Sequence, residues 1–168
     1  MLVLWWRNLT IKYPKIMASR KLNYIEIEQD FRLIGIHSQL EAYKLAFNLN
    51  KSLKVCFKKF EYKIEINKDE FIFEMFKHVS EIYNTKIYLF SNKSFANIKT
   101  IKLNLFENID SKIYLIEEKK NIDFFLKIEG GNFNYSSLIN KINRIALVQT
   151  CYLVNLKSQK SKYNLIFE

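Results

Sequence analysis

Alternation of apolar and polar residues, and two stretches where apolar residues recur every three to four positions, lay out most of the chain. Tyr24-Ile25-Glu26-Ile27-Glu28 alternates and predicts a strand. FRLIGIH (31–37) predicts a second, more apolar strand. A helix is expected next. Ser38 stands at its N-cap and Glu41 three residues on, the capping-box spacing. Leu40, Tyr43, Ala46 and Phe47 then fall on one helical face, and the helix is expected to end near Lys51.

VCFKKFEYKIEI (55–66) and EFIFEMFKHV (70–79) are rich in aromatic and β-branched residues, and the polar break Asn67-Lys68-Asp69 between them predicts a hairpin. TKIYLFSNK (85–93) predicts a further strand and IYLI (113–116) an extended piece, while IKTIKLNLF (98–106) is ambiguous. The last third reads as strand NIDFFLKIEGG (121–131), helix NYSSLINKINRI (134–145) and strand ALVQTCYLVN (146–155). Residues 31–60 repeat the strand–helix–strand order. Two such halves predict an α+β fold: a mainly antiparallel sheet with two helices on one face, built from ferredoxin-like βαβ halves with an inserted hairpin. After a polar stretch from Lys157 to Lys162, Leu165, Ile166 and Phe167 form an apolar end that is expected to dock on the domain, beside the 88–94 segment or in a partner subunit.

The length of 168 residues and an apolar content of 49% suit one core and exclude a disordered chain. The longest apolar runs are far too short to cross a bilayer as helices. The formal charge is +10. Such a balance suits nucleic acid or an anionic membrane. A strongly AT-rich coding sequence explains it as well, since Lys, Asn, Ile, Phe and Tyr abound while Gly, Pro, Ala and Arg are scarce. The lysines are dispersed among acids, as in KKFEYKIEINKDE (58–70), so drift is the favoured explanation and RNA binding is expected to be weak. Cys56 and Cys151 lie far apart in apolar runs and are expected to be reduced core residues; no zinc spacing joins them.

The first sixteen residues differ from the rest. MLVLWWRNLTIKYPKI carries Arg7, Lys12 and Lys15 and no acid, and Met17 opens what reads as an ordinary N-terminus. Residues 1–16 are therefore expected to be a non-native or disordered extension ahead of one domain at 17–168.

Ile116-Glu117-Glu118-Lys119-Lys120-Asn121-Ile122-Asp123-Phe124 resembles the signature of the bacterial IPExxxVDY family. Ile116, Glu118 and Asp123 match by identity, Ile122 and Phe124 replace Val and Tyr, and Glu117 stands where that family has proline. LIGIHS (33–38), LAFNLNK (45–51), YLFSNKS (88–94) and KSKYNLIFE (160–168) resemble the same pattern, so the resemblance covers nearly everything after Met17. It implies a full-length domain in a bacterial cytoplasm, and it supplies no catalytic residues because no activity is assigned to that family. The motif itself reads as a helical turn opening onto a buried strand, with Glu117 keeping a favourable charge at the turn's start.

Candidate ligand contacts are few. Gly130-Gly131 separates a buried strand from a helix start, where bare backbone can hold an anion, although glycine there more often serves a positive φ. Ser91, Asn92 and Lys93 form a polar end to a strong strand and read chiefly as a loop. His37 and His78 lack partners at metal or triad spacing, and Glu117, Glu118 and Asp123 lack a third polar group for acid–base work. Aromatic–lysine alternation in FKKFEYK (57–63) would suit base stacking with phosphate contact, without the RNA-binding consensus.

These features favour a cytoplasmic, non-catalytic binding or regulatory module acting through a small ligand or protein partner, a second copy of the chain included. An RNA-associated protein using a basic, aromatic-bearing sheet face is the alternative, and an enzyme with a dispersed site the second alternative. No cofactor, metal or membrane is called for.

Overall fold

The computed structural model describes residues 31–66, 69–95, 112–156 and 164–165. The extension at 1–16, the start at Met17, the strand at 24–28 and the ambiguous 98–106 lie outside these residues. Among them, β1 (Phe31–Ser38) is followed by α1 (Ala42–Leu53), β2 (Lys58–Ile66), β3 (Asp69–Ser80), β4 (Thr85–Ser91), β5 (Lys93–Phe95), β6 (Lys112–Tyr114), β7 (Phe124–Gly130), α2 (Tyr135–Asn143) and β8 (Val148–Val154). The hairpin expected around residue 67 is β2–β3, paired from Lys58↔Lys77 to Ile66↔Asp69.

Six strands form one antiparallel sheet in the order β2-β3-β4-β7-β1-β8, and β5 and β6 form a separate hairpin. β1 pairs antiparallel with both β7 and β8, so these two run the same way on either side of it, joined through α2. The alternation of strand side chains gives the sheet two apolar faces. On one, Ile34, Ile36, Leu89 and Leu126 pack with Ala42, Leu45, Ala46 and Leu49 of α1 and Ile142 of α2. On the other, Leu33, Phe73, Met75, Phe90 and Phe125 are covered by Leu115, Ile116, Ile122 and Leu165. Each fully buried Leu, Ile, Met or Phe among these contributes roughly 1.5–3 kcal/mol. No helix of the described residues is long and apolar enough to cross a membrane.

Helix α1 corrects two expectations. Its N-cap is Glu41, which makes no side-chain cap hydrogen bond, and the helix begins at Ala42. Ser38 instead ends β1, where the pairing with β8 shifts register between His37 and Ser38. Its hydroxyl accepts from the Leu40 amide at 3.1 Å and donates to the Leu147 carbonyl at 3.0 Å, tying the chain after β1 to the turn before β8. The buried face of α1 is Ala42, Leu45, Ala46 and Leu49, while Tyr43 and Phe47 are each 57% exposed. Small side chains face the sheet and allow close approach; the bulky rings point outward, with Lys44 and Lys51 lying over them. In α2 the cap is orthodox, since Asn134 Oδ1 accepts from the Ser137 amide at 3.0 Å.

Ser38→Ala should cost about 1–2 kcal/mol by leaving the Leu40 amide and the Leu147 carbonyl without their partner. Glu41→Ala should leave the melt nearly unchanged, since Glu41 makes no cap hydrogen bond and its ion pair with Lys44 is exposed. Denaturant titration of both variants checks this, because a capping box would make Glu41 matter as well.

Cys151 is buried as expected. Burial pushes its thiol up to about 11, and its Sγ donates to the Ile139 carbonyl. Cys56 is not a core residue: it precedes β2 and is exposed. Its amide donates to His78 Nδ1 at 3.2 Å. At the outer edge of β8 the Cys151 amide donates to Asn143 Oδ1 at 2.8 Å and so turns away from β1.

The C-terminal end docks at the two residues described there. Leu165 is fully buried with Tyr88 and Phe90 in the second core, and Asn164 Nδ2 donates to the Leu115 carbonyl at 2.9 Å.

Candidate functional site

Two sets of residues marked separately in the sequence meet at one end of the sheet. Ser91-Asn92-Lys93 leaves β4, and the segment Ile116–Phe124 enters β7 beside it. Asn92 is fully buried. Its side-chain oxygen accepts from the Ile116 amide at 2.9 Å, and its side-chain nitrogen donates to the carbonyls of Lys119 and Ile122 at 2.9 and 3.1 Å. Its backbone amide donates to the Asp123 carbonyl and its carbonyl accepts from Leu115. One side chain thus holds both ends of the 116–122 loop, which contains a 3-10 turn at Glu117–Lys119. Ile116 before the turn and Ile122 after it are fully buried; Glu117 pairs with Lys120 at 3.0 Å, and Glu118 is exposed.

Asp123 bridges the same junction. One carboxylate oxygen accepts from Lys93 Nζ at 2.9 Å and the other from the Ser38 amide at 3.2 Å. Phe124 then opens β7 opposite Ile36 and Ser91. Ser91 closes a local turn, its hydroxyl donating to the Lys93 carbonyl at 3.0 Å and accepting from the Lys93 amide. These polar atoms are spent on one another and on the backbone, so the junction fastens the loop over the sheet. The histidines stand apart from it: His37 stacks on Tyr152, with Nε2 3.2 Å from the hydroxyl, and His78 engages the Cys56 backbone.

Gly35 belongs to this arrangement. A Cβ there would lie 2.9 Å from Ile122 Cδ1 and 3.0 Å from Val154 Cγ2. The bare backbone lets the loop press Ile122 onto the sheet. Gly35→Ala should destabilise by about 1–3 kcal/mol through overpacking. Adding Ile122→Val removes the blocking methyl and should restore part of the loss, which a double-mutant cycle measures.

Gly130 and Gly131 lie away from that junction. Their φ values are +67° and +70°. A Cβ on Gly130 would strike the Asn84 carbonyl, and one on Gly131 would lie 2.6 Å from Thr85 Oγ1 and the Phe133 ring. The pair makes the turn out of β7 and is packed against the β3–β4 turn.

At the other end of the helix-free face, strand register collects lysines that are scattered along the chain. Lys58 pairs with Lys77, Lys77 with Tyr88, and Tyr88 with Lys127, so these four lie in one row across β2, β3, β4 and β7. Lys86 lies in the next row, between Val79 and Glu129. The expectation of dispersed charge fails here, because side chains of like parity on adjacent strands stand about 5 Å apart. Lys77 Nζ lies 5.9 Å from the Phe60 ring and 5.4 Å from the Tyr88 ring.

Lys127 is the inner member of the row, with a side chain only 4% exposed. It donates to the Leu165 carbonyl at 2.6 Å, pairs with Glu129, and lies against Phe31 and Tyr88. Burial lowers its pKa and outweighs the opposing effect of Glu129. The Tyr88 hydroxyl is raised by burial and then by Glu129. By contrast Lys58 and Lys86 are exposed and Lys77 is half-buried; among the described residues these three form no ion pair. The row was hidden in the sequence, where only the FKKFEYK alternation hinted at it.

Among the described residues no three His, Cys, Asp or Glu side chains gather as a metal site. No family model matches the chain, and no curated protein is significantly similar to it.

Proposed function

We propose that the protein is a non-catalytic binding module on a ferredoxin-like core, with its ligand surface at the basic end of the helix-free sheet face. The observation that carries this is the placement of Lys58, Lys77 and Lys86 side by side, with no ion-pair partner among the described residues. Neighbouring like charges raise the local potential and favour an anionic ligand. For the core, support comes from the order β8-β1-β7-β4 with its alternating directions and from α2 joining β7 to β8. The β2–β3 hairpin is then an insertion that widens the sheet beyond β4. The IPExxxVDY resemblance fits this reading. Its signature residues Ile116, Ile122 and Asp123 are those that fasten the loop over the opposite end of the face.

Amide NMR titration with inorganic tripolyphosphate tests the assignment. Shifts should centre on residues 58, 77 and 86 and vanish in the K58Q/K77Q/K86Q variant. Shifts centred on 91–93 or 130–131 instead would overturn it.

A protein partner on the outer face of α1 is the second reading, favoured by the exposure of Tyr43 and Phe47 one helical turn apart. Tyr43→Ser with Phe47→Ser would abolish such an association and leave anion binding intact.

A further inference from the structure

We infer that the ligand of the basic face is single-stranded nucleic acid, its phosphates held by Lys58, Lys77 and Lys86 and its bases stacked on Tyr83 and Phe60. This rests on the reading of that face as the ligand surface and names what it takes.

The rings accompany the charges. Along β2, Phe60 follows Lys58 on the same face, half-buried, with the Lys77 ammonium beside its ring. At the tip of the turn between β3 and β4, Tyr83 is 74% exposed and lies three residues before Lys86. Bases of a single strand offer free π-faces to such rings, while its backbone offers phosphates to the lysines between them. A duplex keeps its bases stacked internally and could use only the lysines. An inorganic or lipid phosphate would likewise leave the rings idle. Three phosphate contacts give a shallow dependence on salt. The slope of log affinity against log salt should be about −2, so affinity falls roughly 20-fold between about 50 and 200 mM salt.

Fluorescence anisotropy with short mixed-sequence single-stranded RNA reads this directly, run beside duplex RNA, tripolyphosphate and phosphatidylcholine–phosphatidylserine vesicles. The single strand should bind best among the RNAs, with that slope, and K58Q/K77Q/K86Q should flatten the slope to near zero. Tyr83→Leu, at an exposed site that cannot upset folding, should weaken single-stranded RNA about tenfold without changing the slope. Phe60→Leu, which keeps an apolar side chain in place, should act in the same sense. Both should leave tripolyphosphate binding unchanged. Equal affinity for duplex, or no effect of Tyr83→Leu, overturns the stacking and with it the ligand assignment. Lysine-dependent binding of tripolyphosphate or vesicles with no binding of RNA removes nucleic acid and leaves the binding face standing. If none of the probes binds, both readings fall.

Discussion

Asn92→Ala should remove about 3–5 kcal/mol of stability, the largest effect of any single polar substitution in the described structure. The side chain is fully buried and makes three hydrogen bonds, all to backbone groups of the 116–122 loop. Truncation leaves the Ile116 amide and the Ile122 carbonyl facing a small cavity without that partner, while the Lys119 carbonyl keeps only its bond from the Ile122 amide. Each buried group deprived of its partner costs about 1–3 kcal/mol, and part of this is recovered by relaxation or an entering water. Domains of this size have only about 5–15 kcal/mol in hand. Asn92→Asp should be nearly as damaging. Its carboxylate could still accept from Ile116 but could donate to neither carbonyl, and a buried charge is added. Urea titration followed by tryptophan-independent circular dichroism gives the values. A change below about 1 kcal/mol for Asn92→Ala would mean that Ile116 and Ile122 hold the loop by apolar contact alone.

Removing residues 164–168 should cost about 3 kcal/mol or more without changing the mass in solution. Leu165 is fully buried, so its loss alone forgoes roughly 1.5–3 kcal/mol. Two further bonds go with it, Asn164 to Leu115 and Lys127 to the Leu165 carbonyl. A fall in stability with an unchanged mass means docking within one chain; a halved mass would mean an exchanged tail.

Lys127 also makes stability depend on alkaline pH. Its folded-state pKa lies below the ordinary 10.5 because burial disfavours the ammonium. Between the folded and unfolded values the unfolded chain carries a proton that the folded chain lacks. Stability from this group therefore rises with pH across that window and is flat below it. Lys127→Met should abolish the rise. Truncation of the tail, by letting water reach the ammonium, should narrow the window.

Much of the strand plan was legible because alternation is a local signal. The β2–β3 hairpin, β4, β7, α2 and β8 all fall where period and turn residues put them. The failures were of two physical kinds. In α1, Tyr43 and Phe47 carry more apolar area than Ala42 and Ala46, yet the small residues face the sheet; periodicity finds a stripe but not which of two stripes meets a close neighbour. At Ser38 the capping-box spacing was fulfilled by residues used for something else, because a register shift at the end of β1 drew the hydroxyl to Leu147. Non-local facts were out of reach altogether. Asn92 and Asp123 could be marked as polar ends, but only the β4–β7 pairing makes them one junction. Gly35 needs Ile122 above it to have a purpose. Lys58, Lys77 and Lys86 look dispersed until three strands are laid side by side.

Among the described residues β8 is an edge strand, and this has a consequence for solubility. Val148–Val154 contains no charged residue, and neither proline nor glycine interrupts it. Such a strand is a template on which further chains can stack and grow into filaments. The Asn143 side chain occupies the amide at its centre, so an incoming strand would find the ladder broken at Cys151 and could register only with the short pieces to either side. In a protein whose other described edge, β2, is studded with lysines, one carboxamide does at β8 what charge does at the far side, and protection against fibre growth there depends on it.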